Sequence, residues 1–280
     1  MILPATTSWP HARPLNQTLA AARSQGRAAL ATYLPVGYPS VATGLDALYS
    51  LAQHADILEL GVPHSHQVRD GPVIQHAAKQ ALADGFRMQH LFAAVGELSV
   101  FTAAALLVKS YWHPIERFGV DQFVYGLADA GGCGVLIPDL PIEEAGPWLS
   151  TSRAAGLDTL NLVSPHFDLD RLAYVCAASR GMVYAPATWV VTGAHRQLSS
   201  HLPQFVARLR AVTMLPVGIE IGVSTAAHAA ACSALADAVM VSSPVICRME
   251  EAPGAAPAAA ASAAHEFADV VRRPLRPAAA

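Results

Sequence analysis

The chain has 280 residues, 53% of them hydrophobic and 14% charged, with 18 basic against 21 acidic side chains for a formal net charge of −3. That balance excludes a disordered charged chain and a nucleic-acid-binding surface, and the length supports a large core without covalent staples. Mean hydropathy is +0.33, yet every apolar stretch is interrupted well before the roughly 20 residues a membrane-spanning helix needs. Four widely spaced cysteines form no Cys-x-x-Cys pair, and Met1–Pro14 carries no secretory pattern, so the expectation is a soluble cytoplasmic protein that engages no membrane.

Taken in chain order, residues 1–26 read as an N-terminal extension ending in a helix, Asn16–Gln25, that closes one end of the fold. Short apolar runs then alternate with amphipathic segments roughly every 25 to 35 residues, the spacing of β-α units. The predicted strands are Ala28–Leu34, Ile57–Gly61, Ala104–Ser110, Gly134–Pro138, Asp158–Leu162, Met182–Ala185, Pro216–Ile221 and Ala238–Val241. Predicted helices between them are Val41–Gln53, Pro72–Asp84, Ile115–Ala130, Glu143–Ala155, Asp168–Ala178, Leu202–Val212 and Thr225–Ser233. Near-continuous apolar strands indicate a parallel sheet covered by helices. Eight units predict an α/β fold of the (β/α)8 TIM-barrel class, a single domain over residues 1–250. The Ala/Pro-rich tail, residues 251–280, is low in complexity and predicts one helix, Ala258–Val271, before a frayed end.

In such barrels, active-site groups project from the C-terminal ends of the strands. Glu59 is ionisable inside the apolar run Ile57–Gly61, so it faces either the barrel interior or the helix layer. Either setting raises the pKa of an unpaired carboxyl and suits proton transfer near neutral pH. Asp70 lies in the loop just above, before Gly71-Pro72. The plainer alternative makes Glu59 a salt-bridged core residue and Asp70 a helix cap. Glycine and serine recur at the tops of late strands in Thr192-Gly193, Gly222 and Ser242-Ser243, where backbone N–H groups build phosphate sites. His64-Ser65-His66 is a His-x-His at a strand end, but the histidine spacing is too loose to assign a metal.

The segment ELGVPHSHQVRDGPVIQ, residues 59–75, resembles the tryptophan synthase α-subunit signature ELGVPFSDPxADGPxIQ. YLPVGYP, SYWHPIERFG, LIPDLPIEE, LVSP, VTG and VGIEIGVS follow in the family's order and spacing over about residues 28 to 247. The resemblance implies a cofactor-free lyase that cleaves indole-3-glycerol phosphate to indole and glyceraldehyde 3-phosphate by retro-aldol chemistry. Carried over by motif, Glu59 is the acid/base glutamate and Asp70 the aspartate that holds the indole N–H. Tyr184 stands near the glutamate, Tyr111 is a second site tyrosine, and Tyr33 walls the indole pocket. Gly193, Gly222 and Ser243 are phosphate-binding, with Ser242 in place of a glycine and Thr192 beside them.

Several positions depart from the pattern. His64, His66, Gln67 and Arg69 replace Phe, Asp, Pro and Ala in the loop after the second strand, and that aspartate belongs to the loop that communicates with the β subunit. Obligate coupling to a β-type partner is therefore not expected. Lys109, one of only two lysines with Lys79, occupies an apolar position, Glu220 replaces a glycine and Ile221 a pocket phenylalanine. Strand alternation turns Lys109 inward. Three readings of it stay open: a pair with Glu220 or Glu59, a depressed pKa suited to an imine in an aldolase-type reaction, or an amine at the strand end in solvent or in a structural ion pair. A mainly non-catalytic partner of a PLP-dependent enzyme is the remaining alternative, and intact Glu59 and Asp70 weigh against it.

Overall fold

In a computed structural model, which describes residues 12–67, 69–188 and 197–273, the apolar runs become strands that are buried on both faces except in the fifth, Asp158–Leu162, where three of five residues are half-buried. They are β1 (Ala29–Pro35), β2 (Ile57–Gly61), β3 (Ala105–Lys109), β4 (Gly134–Leu136), β5 (Asp158–Leu162), β6 (Val183–Pro186), β7 (Val217–Glu220) and β8 (Ala238–Val241). All pair in parallel in chain order, and β8 pairs back to β1, closing the barrel. Every residue of β1, β2 and β3 is buried, as interior and helix layer together require.

The helices form the outer layer. α1 (Leu15–Ser24) packs on β1 and β3 at the start of the strands, beside a cavity that it shares with Cys133, Asp158 and Pro216. α2 (Val41–Ala52) starts where the Ser40 side chain accepts the Thr43 N–H, and α3 (Pro72–Ala83) starts on proline, whose missing N–H costs nothing in a first turn. α4 (Met88–Phe101) is an additional helix, not predicted, between α3 and β3; it buries Leu91, Ala94, Val95 and Leu98 along one stripe. The predicted helix Ile115–Ala130 is instead two, α5 (Trp112–Phe118) and α6 (Val120–Ala130), parted at Gly119 with φ +104°. Only glycine adopts that angle freely.

The outer layer continues with α7 (Gly146–Ala154), α8 (Leu169–Ala178), α9 (Leu202–Val212) and α10 (Ala226–Ser233). α11 (Ser243–Glu251), also not predicted, follows β8 directly, and a short 3-10 turn leads into α12 (Ala256–Val271). α12 buries Ala260, Ala263, Ala264, Phe267 and Val271 against α2, α10 and α11. Its alanines allow close approach, and its two large side chains carry most of the burial. Losing the burial of Phe267 and Val271 costs about 3–6 kcal/mol, a large part of a typical domain's stability. Ending the chain after Glu251 is therefore expected to lower the thermal midpoint by about 10 °C or more, or to leave the protein insoluble. Circular dichroism melting checks this; an unchanged midpoint would show that α12 is dispensable. Among the described residues no helix is long and apolar enough to cross a membrane.

Candidate active site

The barrel register stacks the site in two layers. In the lower layer Tyr33 of β1 is level with Glu59 of β2, which is level with Leu107 of β3, while Tyr184 of β6 is level with Gly218 of β7. Two glycines make room for the tyrosines: a Cβ on Gly61 would stand 2.2 Å from the Tyr33 hydroxyl, and one on Gly218 would stand 2.8 Å from the Tyr184 ring. Of the two directions open to Glu59, the inward one holds, and Glu59, Tyr33 and Tyr184 are each 1% exposed or less. One layer up, Lys109 ends β3 and Glu220 ends β7. These strands lie four places apart in a ring of eight, on opposite walls.

Lys109 bridges those walls. Its Nζ donates to Glu220 Oε1 at 2.9 Å and to Asp70 Oδ1 at 3.0 Å, and lies 5.5 Å from the Tyr33 ring centroid. The Arg69 N–H donates to the Tyr111 hydroxyl at 2.9 Å, which donates to Asp70 Oδ2 at 3.2 Å. Gln75 Nε2 donates to the carbonyls of Gln67 and Asp70, at 3.1 and 2.7 Å, and pins the loop. Asp70 does not cap α3: Gly71 holds the N-cap position and the aspartate turns inward. Tyr111 itself stands just beyond β3, at the start of α5.

Burial alone would lower the pKa of Lys109, but Asp70, Glu220 and Glu59 together hold it well above the usual lysine value. Of the readings left open for Lys109, the buried pair with Glu220 holds, joined by Asp70. Its ammonium keeps its proton and is a poor imine former. Glu59 behaves in the opposite way. Burial, then the charge of Glu220, pushes its carboxyl up to about 8, against the smaller opposing pull of Lys109 and the Tyr184 hydroxyl. Tyr184 is near enough to influence Glu59, but neither Glu59 oxygen nor the Tyr184 hydroxyl reaches a partner in hydrogen-bond geometry. Glu220 Oε2 and Gln67 Oε1 are likewise buried without partners. Burial also holds the Tyr33, Tyr111 and Tyr184 hydroxyls above the usual tyrosine value.

A cavity of about 490 Å³ opens among the loops after β4, β5 and β6, lined by Ile137, Asn161, Leu162, Thr188, Ile221 and Arg69 among others. Glu59, Tyr184, Lys109 and Glu220 lie outside its lining. Ile221 has φ +57°, a conformation that costs a β-branched residue about 1–3 kcal/mol. The Ala187 N–H, donating to the carbonyls of Glu220 and Ile221 at 2.8 and 3.0 Å, holds that turn in place. Gly222 follows with φ +100°, and a Cβ there would stand 2.5 Å from Thr188 Cγ2. Ser242 precedes α11 and Ser243 is its first residue, beside a cavity of about 370 Å³ shared with Ser224 and Thr225 at the start of α10. Thr192 and Gly193 lie outside the described residues. His64 stacks on Tyr111 at 5.8 Å between centroids, with His66 at 5.9 Å and His113 at 5.8 Å. Among the described residues no group of three or more His, Cys, Asp or Glu is arranged to hold a metal ion.

The model of one family, tryptophan synthase alpha chain, matches residues 19–272. The chain belongs to the tryptophan synthase alpha chain family. It is 44% identical to the tryptophan synthase alpha chain of Streptomyces coelicolor over 240 residues, covering 85% of this chain and 89% of that one. The tryptophan synthase alpha chain of Thermobifida fusca is also 44% identical, over 243 residues, at 85% and 90% coverage. Among solved structures, one of Mycobacterium tuberculosis tryptophan synthase superposes with a TM-score of 0.85 at 38% identity, covering 94% of this chain and 99% of that one. A mutant α subunit from Pyrococcus furiosus gives a TM-score of 0.81 at 25% identity, covering 88% and 99%. As a tryptophan synthase alpha chain the protein is a lyase. The contacts of Lys109 with Asp70 and of Gln75 with the loop carbonyls depend on how the loop folds back, which strand alternation does not reach.

Proposed function

We propose that Glu59 and Asp70 carry the cleavage of indole-3-glycerol phosphate to indole and glyceraldehyde 3-phosphate, with Glu59 in its neutral form giving the proton to ring carbon C3. The observation that carries this is a buried, unpartnered carboxyl whose pKa is pushed up to about 8, the setting that keeps a carboxylic acid able to donate at neutral pH. Protonation at C3 places positive charge on the indole nitrogen, and Asp70 stabilises it there. Tyr33, Tyr111 and Tyr184 give the indole pocket its aromatic side chains and Ile221 an aliphatic one, with Lys109 and Glu220 beside them. Gly222, Ser242 and Ser243 bind the phosphate through backbone N–H groups at a strained turn and a helix start; Thr192 and Gly193 join them on the sequence motif alone. The loop bearing His66 in place of the signature aspartate supports activity without an obligate β-type subunit.

Purified chain incubated with indole-3-glycerol phosphate is expected to release indole and glyceraldehyde 3-phosphate in equal amounts, at a rate that a β-type subunit leaves within about threefold. No indole, with or without that subunit, would overturn the reading. Indole release only in the subunit's presence would overturn the independence of the chain.

A further inference from the structure

We infer that Glu220 is a second catalytic carboxylate, the base that takes the proton of the hydroxyl next to the indole ring while Glu59 supplies the ring proton. The inference rests on the lyase reading above and assigns the two proton transfers of that reaction to different residues.

Retro-aldol cleavage needs one proton delivered and one removed. A carboxyl held neutral is prepared to deliver and poorly placed to remove, so a second group of opposite protonation completes the pair. Glu220 stands where such a group belongs. It is two residues along β7 from Gly218, which is level with Tyr184 and touches its ring, so its carboxylate lies one layer above the Tyr184–Glu59 pair. One oxygen, Oε1, accepts from Lys109 at 2.9 Å and fixes the side chain. The other, Oε2, is buried with no partner, as are both oxygens of Glu59 and the hydroxyl of Tyr184. A buried carboxylate oxygen without a donor is costly, and a substrate hydroxyl supplies that donor. The charged and titratable groups around the pair are Lys109, Asp70, Tyr33 and Tyr184.

The step balances as follows. Glu59 gives its proton to ring C3, and the C2–N1 unit becomes a cationic imine. Glu220 then takes the hydroxyl proton, the C–O bond becomes the aldehyde C=O, and the bond from that carbon to ring C3 breaks. Its electron pair restores the C2–C3 double bond and neutralises the nitrogen. Glu59 ends ionised and Glu220 protonated, and one proton passed from Glu220 to Glu59 resets the site.

Glu220→Gln keeps an oxygen for Lys109 but removes the basic group. It is expected to lower kcat for cleavage about 100-fold or more with KM within about threefold. Exchange of the C3 hydrogen of indole in D2O, followed by NMR, reads the Glu59 proton alone and is expected to persist in Glu220→Gln and to vanish in Glu59→Gln. Glu220→Asp, whose shorter carboxylate keeps the base, is expected to recover part of the rate. Cleavage by Glu220→Gln within about threefold of wild type would overturn the assignment, as would loss of C3 exchange together with cleavage, which marks a merely structural counter-ion. Absence of indole release from the wild-type chain would instead remove the lyase reading and this inference with it.

Discussion

Glu59→Gln is expected to lower indole release by about 10²–10⁴-fold, because the amide fills the same space but cannot deliver the ring proton. The same substitution is expected to stabilise the fold, and the sign follows from linkage. Folded Glu59 keeps its proton up to about pH 8, whereas the ordinary value is 4.5. Between those limits folding takes up a proton, so the contribution of Glu59 to stability declines as pH rises from 4.5 to 8 and stays low above that. Glutamine has no such dependence. Its gain over wild type should be small near pH 5, largest above about pH 8, and readable as a difference in thermal midpoint. A midpoint difference that shrinks with rising pH would mean that Glu59 is ionised in the folded state. The expected exchange of stability for activity is what a buried acid at a working site entails.

Lys109→Met is the second large effect. Its ammonium is the partner of both Asp70 and Glu220, and all three side chains are nearly inaccessible. Removing one member of a buried ion pair typically costs about 3–5 kcal/mol, because the remaining charge is left uncompensated. Replacing both ends, in Lys109→Met with Glu220→Gly, is expected to cost less than Lys109→Met alone. Denaturant unfolding of the two variants checks that order. Additive losses would show that the bridge is not a coupled unit. Because Lys109 pulls the Glu59 pKa down, its loss is also expected to move the alkaline fall in activity upward.

How much of this was legible in sequence follows the range of the interactions. All eight strands are local features, continuous apolar runs with clear ends, and they stand within a few residues of the predicted limits. Glu59 and Lys109 are ionisable residues inside or at the end of such runs; alternation turned Lys109 inward, whereas the direction of Glu59 stayed open between barrel interior and helix layer. The stripe Leu91, Ala94, Val95 and Leu98 of α4 and the break at Gly119 were also present as spacing and as glycine, but a strict alternation of one helix per strand absorbs both. α11 is only nine residues long and begins directly at the phosphate-type Ser242-Ser243 pair, so the site signal covers the helix signal. Alanine hides the burial of α12 in a different way: composition reads as low complexity, while Phe267 and Val271 supply the anchor. Least legible was the choice Lys109 makes among carboxylates. Glu220 and Glu59 were both in reach by strand position, and Asp70 enters only because Tyr111 and Gln75 fold its loop over the barrel mouth.

On this proposal a neutral carboxyl, buried one layer below an ion bridge, is the working acid. The pH dependence of kcat/KM for indole release tests it most directly, since that ratio reports groups on the free enzyme. The expected profile is level near neutrality and falls about tenfold per pH unit above about pH 8, as Glu59 loses its proton. A ratio that instead climbs through pH 8 would mean that ionised Glu59 is the active form, and would contradict the account.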